Sequence, residues 1–590
     1  MVRFIYGGAL LLCAVFPGYA QQPSPPPPTS GDVLRDLEDK RQALPPKAPP
    51  AIDVAPGTRR AVKPLPGFKI DVKGFRFTGL TTARAEPLQS VMQKFGGLPA
   101  VQEERLQALV QKYIGPDRTF SDLQAAADAV TAYLQQQGYF VAQAFLPEQK
   151  VADGIVEITI LEGRLGTVRV DIDERARISR DMVDGLLSAL TPGMVLHQDT
   201  VERALFLLSD LRGITVRSVI EPGSEAGTAN LVVKVEAGRL VDGTIEFDNH
   251  GSRFTGQHRL GASINLNSPL KRGDVLSFRG LLAVPGGDED TKFGRLSYLT
   301  PVGRYGTKIG AAYLKLRYHL GTDIFTALDQ RGESEVGSVF ALHPFVRGRT
   351  LNLFGQANYD VRKFHDDRRA VATVSDRRIR AGAFALVGDS RDRWLGGGFN
   401  NFSLAYTRGS LDLRTAADLA ADQGAAGHMT DGHYSKLNGS ISRSNTIGDT
   451  TSLYLSFAFQ RASKNLDGSE KLSLGGPSAV RAYAVGEGTS DEGQLYTAEI
   501  RQGLPRTFIP GNLIASVFYD YGHGKVNRNP LAAEVPINTR NLSGAGVGLS
   551  WGRLDDFFLR GTAAWRLSDA PVSDPRDRKP RVYFQLVKYL

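Results

Sequence analysis

From Leu240 to Leu590 the chain consists of segments of about ten residues in which apolar and polar side chains alternate. Alternation places the apolar residues on one face of a β-strand and the polar residues on the other. Three segments are clearest: Leu351, Leu353, Gly355, Ala357, Tyr359 and Val361; Leu453, Leu455, Phe457 and Phe459; and Phe557, Leu559, Ala563, Trp565 and Leu567. About ten residues is also the length that a tilted strand needs to cross a membrane, and about sixteen such segments predict a closed, antiparallel β-barrel in a membrane.

The connections between these segments alternate in length. The predicted short connections are Pro269–Gly273, Pro301–Gly306, Arg347–Thr350 and Pro505–Gly511. The predicted long ones are Thr322–Glu335, His365–Arg378, Arg414–Gly432, Asp467–Gly493 and Gly524–Arg540. Short periplasmic turns and long outer loops are typical of outer-membrane barrels. A water-soluble sandwich would also bury one apolar face, but a polar face rich in Arg and Asn, with aromatic residues near the strand ends, favours the barrel.

The remaining composition excludes several classes of protein. Beyond the N-terminus there is no run of about 18 apolar residues, which excludes a helical membrane protein. The formal net charge is +9, but the basic residues are dispersed, so no nucleic-acid partner is predicted. Met1–Ala20 is a predicted secretory signal, and it contains the only cysteine, Cys13. The mature chain therefore lacks thiols, and neither a metal site nor a cofactor is predicted.

A predicted N-terminal segment, residues 21–44, combines a proline-rich tail with a helix over Gly31–Leu44. Ser30 or Asp32 is a candidate N-cap, and Arg35–Asp39 and Asp36–Lys40 are candidate i,i+4 ion pairs. Because the helix is charged on almost every side, it suits a polar pore better than a protein core. A solvated arm is the alternative. The proline-rich linker 45–67 could span roughly 65 Å if extended.

Two α/β units follow, residues 68–163 and 164–238, and they repeat the same order of elements. The repeat pairs Gly138, Val141, Phe145 and Pro147 with Gly213, Val216, Ile220 and Pro222. Each unit combines two helices with a small sheet, whose edge could bind an extended chain by β-augmentation. The candidate edge is Tyr139–Phe145, with Tyr139, Phe140, Val141 and Phe145 as candidate substrate-binding residues. The alternative is that this strand only completes the sheet of its own module.

A glycine-rich stretch, Leu474–Gly493, carries Val480-Arg481-Ala482-Tyr483 at its centre. An arginine inside a barrel should bind a carboxylate. On the strand Phe518–Gly522, alternation places Asp520 on the lumen face, so we expect an Arg481–Asp520 pair that anchors loop 467–493 inside the pore. Glu499 and Arg501 are also predicted to face the lumen, where they either extend this network or contribute ordinary lumen polarity.

These two motifs resemble those of a known family. Val480-Arg481-Ala482-Tyr483 resembles the Val-Arg-Gly-Tyr/Phe loop motif of two-partner secretion transporters, with Ala482 in place of glycine. Phe518-Tyr-Asp-Tyr-Gly522 is similar to the F-x-D-x-G strand motif of the superfamily that includes the barrel-assembly insertase. The resemblance implies two periplasmic POTRA domains and an N-terminal helix that plugs a barrel, residues 239–590. It also implies an outer-membrane translocase for an unfolded adhesin or haemolysin, recognised through the N-terminal secretion domain of that exoprotein.

The family resemblance further implies that the cell's barrel-assembly machinery inserts the chain among outer-membrane lipids. Two rival functions remain, an insertase for other barrels and a passive porin. The two-module count and the plug argue against the first, and the periplasmic repeat argues against the second. An enzyme is not expected. Gly548-Leu-Ser-Trp-Gly552 matches the hydrolase pattern G-x-S-x-G, but that motif requires a strand-to-helix turn, whereas here it falls within an alternating strand.

Overall fold

The computed structural model describes residues 27–38, 52–54, 67–79, 103–284, 289–321, 325–505, 510–568, 572 and 579–590. The predicted signal Met1–Ala20, most of the linker, and the partners Asp39 and Lys40 of the predicted helical ion pairs lie outside these residues. None of the described helices is long and apolar enough to cross a membrane.

Two α/β modules precede the barrel. The N-terminal elements are α1 Ser30–Glu38, β1 Ile52–Val54, β2 Lys69–Val72, β3 Gly74–Thr78, α2 Glu103–Val110, β4 Gly115–Thr119, α3 Phe120–Gln136, β5 Gln143–Phe145 and β6 Ile155–Leu161. The second module contains β7 Arg164–Ile172, α4 Arg180–Leu187, α5 Gln198–Ser209, β8 Ile214–Pro222 and β9 Thr228–Ala237. In the first module β6 lies between β3 and β5, and the second has the strand order β1-β8-β9-β7. The predicted α/β modules are confirmed.

A strand from the linker completes the second sheet. Residues Ile52–Val54 pair in parallel with Ser218–Ile220 of β8. Sequence alone predicts an extended, proline-rich linker here and no strand. Pairing with a distant edge, rather than local propensity, makes this segment a strand.

The described C-terminal region forms a closed barrel of sixteen antiparallel strands, in which β10 pairs with both β11 and β25. The strands are β10 Val241–Asp248, β11 His258–Asn267, β12 Val275–Val284, β13 Asp290–Val302, β14 Thr307–His319, β15 Gln330–Arg347, β16 Leu351–Arg368, β17 Thr373–Asp392, β18 Gly398–Leu413, β19 Gly432–Thr446, β20 Thr451–Ala462, β21 Glu492–Gly503, β22 Asn512–Lys525, β23 Thr539–Arg553, β24 Phe557–Arg566 and β25 Arg581–Tyr589. Helix α6, Ala416–Gln423, lies in the connection between β18 and β19. The predicted barrel is confirmed. Gly548–Gly552 lies within β23.

Two of the predicted long loops are wrong. Strand β16 continues to Arg368 and pairs residue by residue with β17 from Thr373, so residues 365–378 form the end of a hairpin. Similarly, β15 begins at Gln330, inside the predicted loop Thr322–Glu335. Above the membrane a strand no longer needs an apolar outer face, so the alternation disappears although the backbone pairing continues.

The second module is fixed to the periplasmic turns of the barrel. Arg347 at the end of β15 binds Asp210 of the second module in a bidentate manner: it donates from Nε and Nη2 to the two carboxylate oxygens, each at 2.8 Å. Arg349 forms an ion pair with Glu202 of α5 at 2.6 Å. The guanidinium of Arg347 also lies 4.5 Å from the centre of the Phe206 ring. These contacts place the modules at the end of the barrel that has the short turns.

Candidate functional site

The connection between β20 and β21, residues 463–491, folds back into the barrel. It is the sixth connection on the side of the long loops. Its central residues pack with residues of β22, β23 and β24 in a buried cluster: Leu474, Val480, Ala482, Tyr483, Phe518, Leu542 and Ala564. The loop tip is therefore held by apolar packing as well as by charge.

Arg481 binds Asp520 through three nitrogen atoms. Nε donates to Oδ2 at 2.8 Å, Nη2 donates to Oδ1 at 2.9 Å, and the Arg481 backbone N–H donates to Oδ2 at 3.1 Å. Thr497 on the neighbouring strand donates its hydroxyl to Asp520 Oδ1 at 3.0 Å. The exposed fractions are 4% for Arg481 and 1% for Asp520, so both charges are shielded from solvent. Breaking a buried pair of this kind typically costs about 3–5 kcal/mol, because one charge is left without a partner.

Glu499 connects this pair to further cations. The remaining guanidinium nitrogen of Arg481, Nη1, donates to Glu499 Oε2 at 2.8 Å. Arg501 donates from Nε to Glu499 Oε1 at 3.0 Å, and Arg560 lies 3.7 Å from Glu499 Oε2. The guanidinium of Arg481 also stacks 3.3 Å from the centre of the Phe518 ring. The structure thus brings together all four charged residues predicted for the lumen network.

Ala482, which departs from the glycine of the loop motif, fits its position without strain. Its φ angle is not in the left-handed region. Its methyl group packs on Gly544 of β23, where an added Cβ would lie only 2.4 Å from Ala482 Cβ. The next residue, Tyr483, is fully buried, and its hydroxyl lies 2.6 Å from Ser568 Oγ. Glycine on the facing strand, rather than in the loop, provides the close approach.

Helix α1 lies inside the barrel, and its N-terminus is bonded to the wall. Ser30 donates its backbone N–H and its hydroxyl to the carboxylate of Asp366 on β16, each at 2.9 Å. Tyr318 donates to the same carboxylate at 2.7 Å, and Ser334 donates to the Ser30 carbonyl at 3.0 Å. The predicted caps are wrong in detail. Thr29 is the N-cap, and the carboxylate of Asp32 accepts the backbone N–H of Thr29 at 3.0 Å. The hydroxyl of Ser30 donates to Asp366 instead of capping the helix.

One face of α1 is apolar and packs against an apolar part of the lumen. Val33, Leu34 and Leu37 are buried in a cluster with wall residues that include Phe293, Leu314, Leu316, Phe364, Ile379 and Leu411. The expectation of a helix that suits a uniformly polar pore is therefore wrong. The wall carries apolar side chains where the helix docks, and burying them stabilises the closed arrangement.

The helix and the inward-folded loop also contact each other. Arg35 donates from Nη1 to the carbonyl of Gly468 at 2.5 Å, at the start of the loop. Arg377 of β17 bridges the two, since it binds Asp366 at 2.8 Å and also forms an ion pair with Asp467. A cavity of about 420 Å³ separates the other side of α1 from loop residues 485–489. Asp366 and Arg377 could not be recognised as lumen residues from the sequence, because both fall within the predicted loop His365–Arg378.

Comparison with known proteins identifies the family. Residues 227–551 match the family model for the haemolysin secretion/activation protein ShlB/FhaC/HecB, and residues 87–163 match the ShlB-type POTRA domain. The chain belongs to the haemolysin secretion/activation family. It is an outer-membrane transporter of the two-partner secretion type, with its POTRA domains in the periplasm, so the predicted family, function and location are confirmed.

Individual relatives agree with this assignment. The chain is 26% identical over 460 residues to the heme/hemopexin transporter protein HuxB of Haemophilus influenzae, covering 77% of this chain and 78% of HuxB. It is 25% identical to the outer membrane transporter CdiB of Escherichia coli, covering 72% and 70% of the two chains. Among solved structures, CdiB from Escherichia coli superposes with a TM-score of 0.66 at 21% identity, covering 91% of this chain and 93% of that one. The last similarity concerns the fold alone.

In this transporter the predicted edge Tyr139–Phe145 is divided between two environments. Tyr139 packs edge-to-face on His197 of the second POTRA domain, with ring centres 5.1 Å apart. Phe140 and Val141 pack against the core of that second domain. Phe145 lies on the short strand β5, and 39% of its surface is exposed. Three of the four candidate residues therefore lie at the junction of the domains, and only Phe145 is on a sheet edge.

His197 joins the two POTRA domains. Its Nε2 lies 3.0 Å from the carbonyl of Gln137, and its Nδ1 accepts the Asp199 N–H at 3.2 Å as the N-cap of α5. Both contacts require a neutral ring with the proton on Nε2. Burial lowers the pKa of His197, with partial compensation from the Gln137 carbonyl. A charged His197 would lose the helix cap, so this junction is sensitive to protonation.

Proposed function

We propose that this transporter binds an unfolded exoprotein at its POTRA domains and threads it through the barrel after α1 has left the lumen. The observation that carries the proposal is the bonding of the α1 N-terminus to the barrel wall through Asp366. A helix held by a few polar bonds and one apolar face can be released without unfolding the barrel. The substrate would be an adhesin- or haemolysin-type exoprotein, recognised through its N-terminal secretion domain.

Capture would use the free edges of the POTRA sheets. In the first domain β5 is an edge strand, and the exposed Phe145 supports an apolar contact with an extended chain. The β8 edge of the second domain is covered by Ile52–Val54, so a substrate that pairs there must first displace the chain's own linker. Tyr139, Phe140 and Val141 would then act indirectly, by fixing the angle between the domains.

Arg481 and Asp520 would anchor the loop while the helix leaves. Their bonds do not involve α1, so release of the helix need not break them. Val480, Ala482 and Tyr483 would hold the loop tip against the wall, and Glu499 and Arg501 would fix the orientation of the Arg481 fork. Folding of the exoprotein outside the cell would supply the free energy, and the cell's barrel-assembly machinery would insert the transporter among outer-membrane lipids.

Deletion of residues 30–44 tests the proposal. In planar lipid bilayers we expect the deletion variant to show a higher single-channel conductance than the parent protein. A deletion of equal length within 414–431, the α6-containing outer loop, is the matched control and should leave the conductance unchanged. Unchanged conductance after removal of residues 30–44 would contradict a plug function for α1. Secretion of the partner exoprotein, measured in the same strains, separates channel opening from substrate recognition.

A further inference from the structure

We propose that the outer face of strands β17 and β18 binds the phosphates of lipopolysaccharide through an outer arginine patch, defined as Arg378, Arg380, Arg408 and Arg414. Register fixes the direction of these side chains. Ile379 and Leu411, which pair with each other, are buried inside the barrel against the plug cluster. The even-numbered residues on both strands therefore point away from the lumen, toward the membrane.

The patch lies at the height of lipid headgroups. On β16 the outward apolar residues run from Leu351 to Val361. These ten steps correspond to about 33 Å along the strand, or about 25 Å of height at a tilt of about 40°, which is the usual apolar band of an outer-membrane barrel. Tyr359 and Tyr406 are exposed near its upper limit, as interfacial aromatics. Arg408 follows Tyr406 by two residues, and Arg380 lies two residues above Gly382, which pairs with Tyr359.

The patch has positive charge that no carboxylate neutralises. Among the described residues, none of the four arginines forms an ion pair, and Asp412, which lies opposite Arg378, does not bind it. Nε of Arg378 is buried without a hydrogen-bond partner. The neighbouring carboxylates already have partners: Glu333 forms ion pairs with Lys315 and Arg317, Glu335 forms one with Lys315, and Asp376 is hydrogen-bonded to His365. The arginine forks therefore remain available to an external anion.

The spacing suits a phosphorylated glycolipid. Arg380 and Arg408 are diagonal neighbours across the sheet, about 7–8 Å apart at the backbone, so both forks can reach one phosphate. Arg378 and Arg414 line a cleft of about 390 Å³ beside them, together with Lys363 and with the carboxylates of Glu333, Glu335 and Asp376. Because those carboxylates would repel a phosphate, Arg380 and Arg408 are the main anion position and the cleft contributes Arg378 and Arg414 at its rim. The outer leaflet of an outer membrane consists of lipopolysaccharide, whose lipid A carries two phosphates with acyl chains below them. Its acyl chains would lie on the apolar band while its phosphates meet the patch.

Native mass spectrometry of the detergent-purified transporter tests the inference, with bis-phosphorylated lipid A and its dephosphorylated form as probes. The variant Arg378→Gln/Arg380→Gln/Arg408→Gln removes three charges from the patch. We expect it to bind bis-phosphorylated lipid A at least about tenfold more weakly than the parent, because each basic residue near a charged membrane surface contributes to anion binding. The matched control, Arg304→Gln/Arg391→Gln/Arg393→Gln, removes three exposed charges near the periplasmic end and should bind like the parent.

The outcomes separate lipid binding from other roles. Weak binding of dephosphorylated lipid A to the parent would support recognition of the phosphates. Equal binding of both probes, or equal binding of lipid A to the patch and control variants, would overturn the inference. If exoprotein secretion fell in the patch variant while its lipid A binding stayed unchanged, the patch would serve the exoprotein instead. Retention of the folded, heat-modifiable form in unheated gels checks that the barrel has assembled in each variant.

Discussion

Replacing Asp366 with alanine should shift the transporter toward the open arrangement. The carboxylate accepts two hydrogen bonds from Ser30, through the backbone N–H and the hydroxyl. A hydrogen bond to a charged group contributes about 1.5–3 kcal/mol. The lower value applies to each bond, because water can enter the lumen and replace part of the lost interaction. With two bonds, the variant loses about 3 kcal/mol of the free energy that docks the helix. That free energy corresponds to roughly a hundredfold change in the equilibrium between docked and released helix.

Thiol labelling measures this equilibrium directly, because the mature chain has no cysteine after the predicted signal. Leu34→Cys places a thiol on the buried face of α1, where only 1% of the leucine is exposed. In the Asp366→Ala background, a bulky maleimide should label this thiol up to roughly a hundredfold faster, since labelling tracks the population of the released helix. Asp367→Ala is the matched control, because Asp367 points outward and, among the residues that the structure describes, forms its ion pair with Arg369 at the surface.

A labelling rate within about twofold of the Asp367→Ala control would contradict this prediction, because the Ser30–Asp366 bonds would then contribute almost nothing to docking. Arg377 still binds Asp467 in the Asp366→Ala variant, so the start of the loop keeps one of its contacts. A change in the labelling of an added cysteine in the loop tip would indicate wider disruption, and conductance in planar bilayers provides an independent measure of opening.

Three further predictions concern the release of helix α1, the Arg481–Asp520 anchor and the junction between the POTRA domains. An ideal Cβ on Gly31 lies 2.9 Å from Ser469 Cβ, and a shift of roughly 1 Å brings the two to the separation of about 3.8 Å that a disulfide requires. Gly31→Cys/Ser469→Cys should therefore form a disulfide that stops secretion until a reductant is added, and secretion unaffected by oxidation would contradict release of α1. Arg481→Ala should reduce secretion while unheated gels still show a folded barrel, and normal secretion would show that the Asp520 anchor is dispensable. The lowered pKa of His197 means that its contribution to stability is present above about pH 6.5 and is lost as the pH falls through the folded-state value. The protection factors of the amides at the start of α5, which correct for the slower intrinsic exchange at low pH, should therefore fall at pH 5.5 relative to pH 7.5, and His197→Asn, which keeps a capping side chain, should remove that difference.

The barrel and its charged loop anchor could be predicted because alternation fixes the face of every residue on a strand. Once Leu513 and Val517 are assigned to the lipid face, Asp520 must face the lumen, and Arg481 is a cation in a loop long enough to reach it. Glu499 follows from the same argument on the neighbouring strand. These inferences need only the period of the strand and the sign of the charge.

The plug contacts could not be predicted because they depend on which strands face the helix. Asp366 and Arg377 lie above the membrane, where the outer face of a strand is polar as well and the apolar–polar period no longer marks the strand. Leu34 and Leu37 have no visible partner in the sequence, since the apolar wall residues around them come from many separate strands. The strand Ile52–Val54 exists only because β8 offers an edge, which no local pattern reveals.

The ion pairs between the second POTRA domain and the periplasmic turns have a consequence for delivery of the substrate. Because Asp210 and Glu202 are tied to Arg347 and Arg349, this domain cannot rotate freely beneath the barrel. An incoming polypeptide would therefore reach the periplasmic entrance of the barrel from one direction, whatever the orientation of the first POTRA domain. Movement between the two POTRA domains would then centre on the contact of His197 with Gln137, so changes there could alter the angle of the first domain without disturbing the channel.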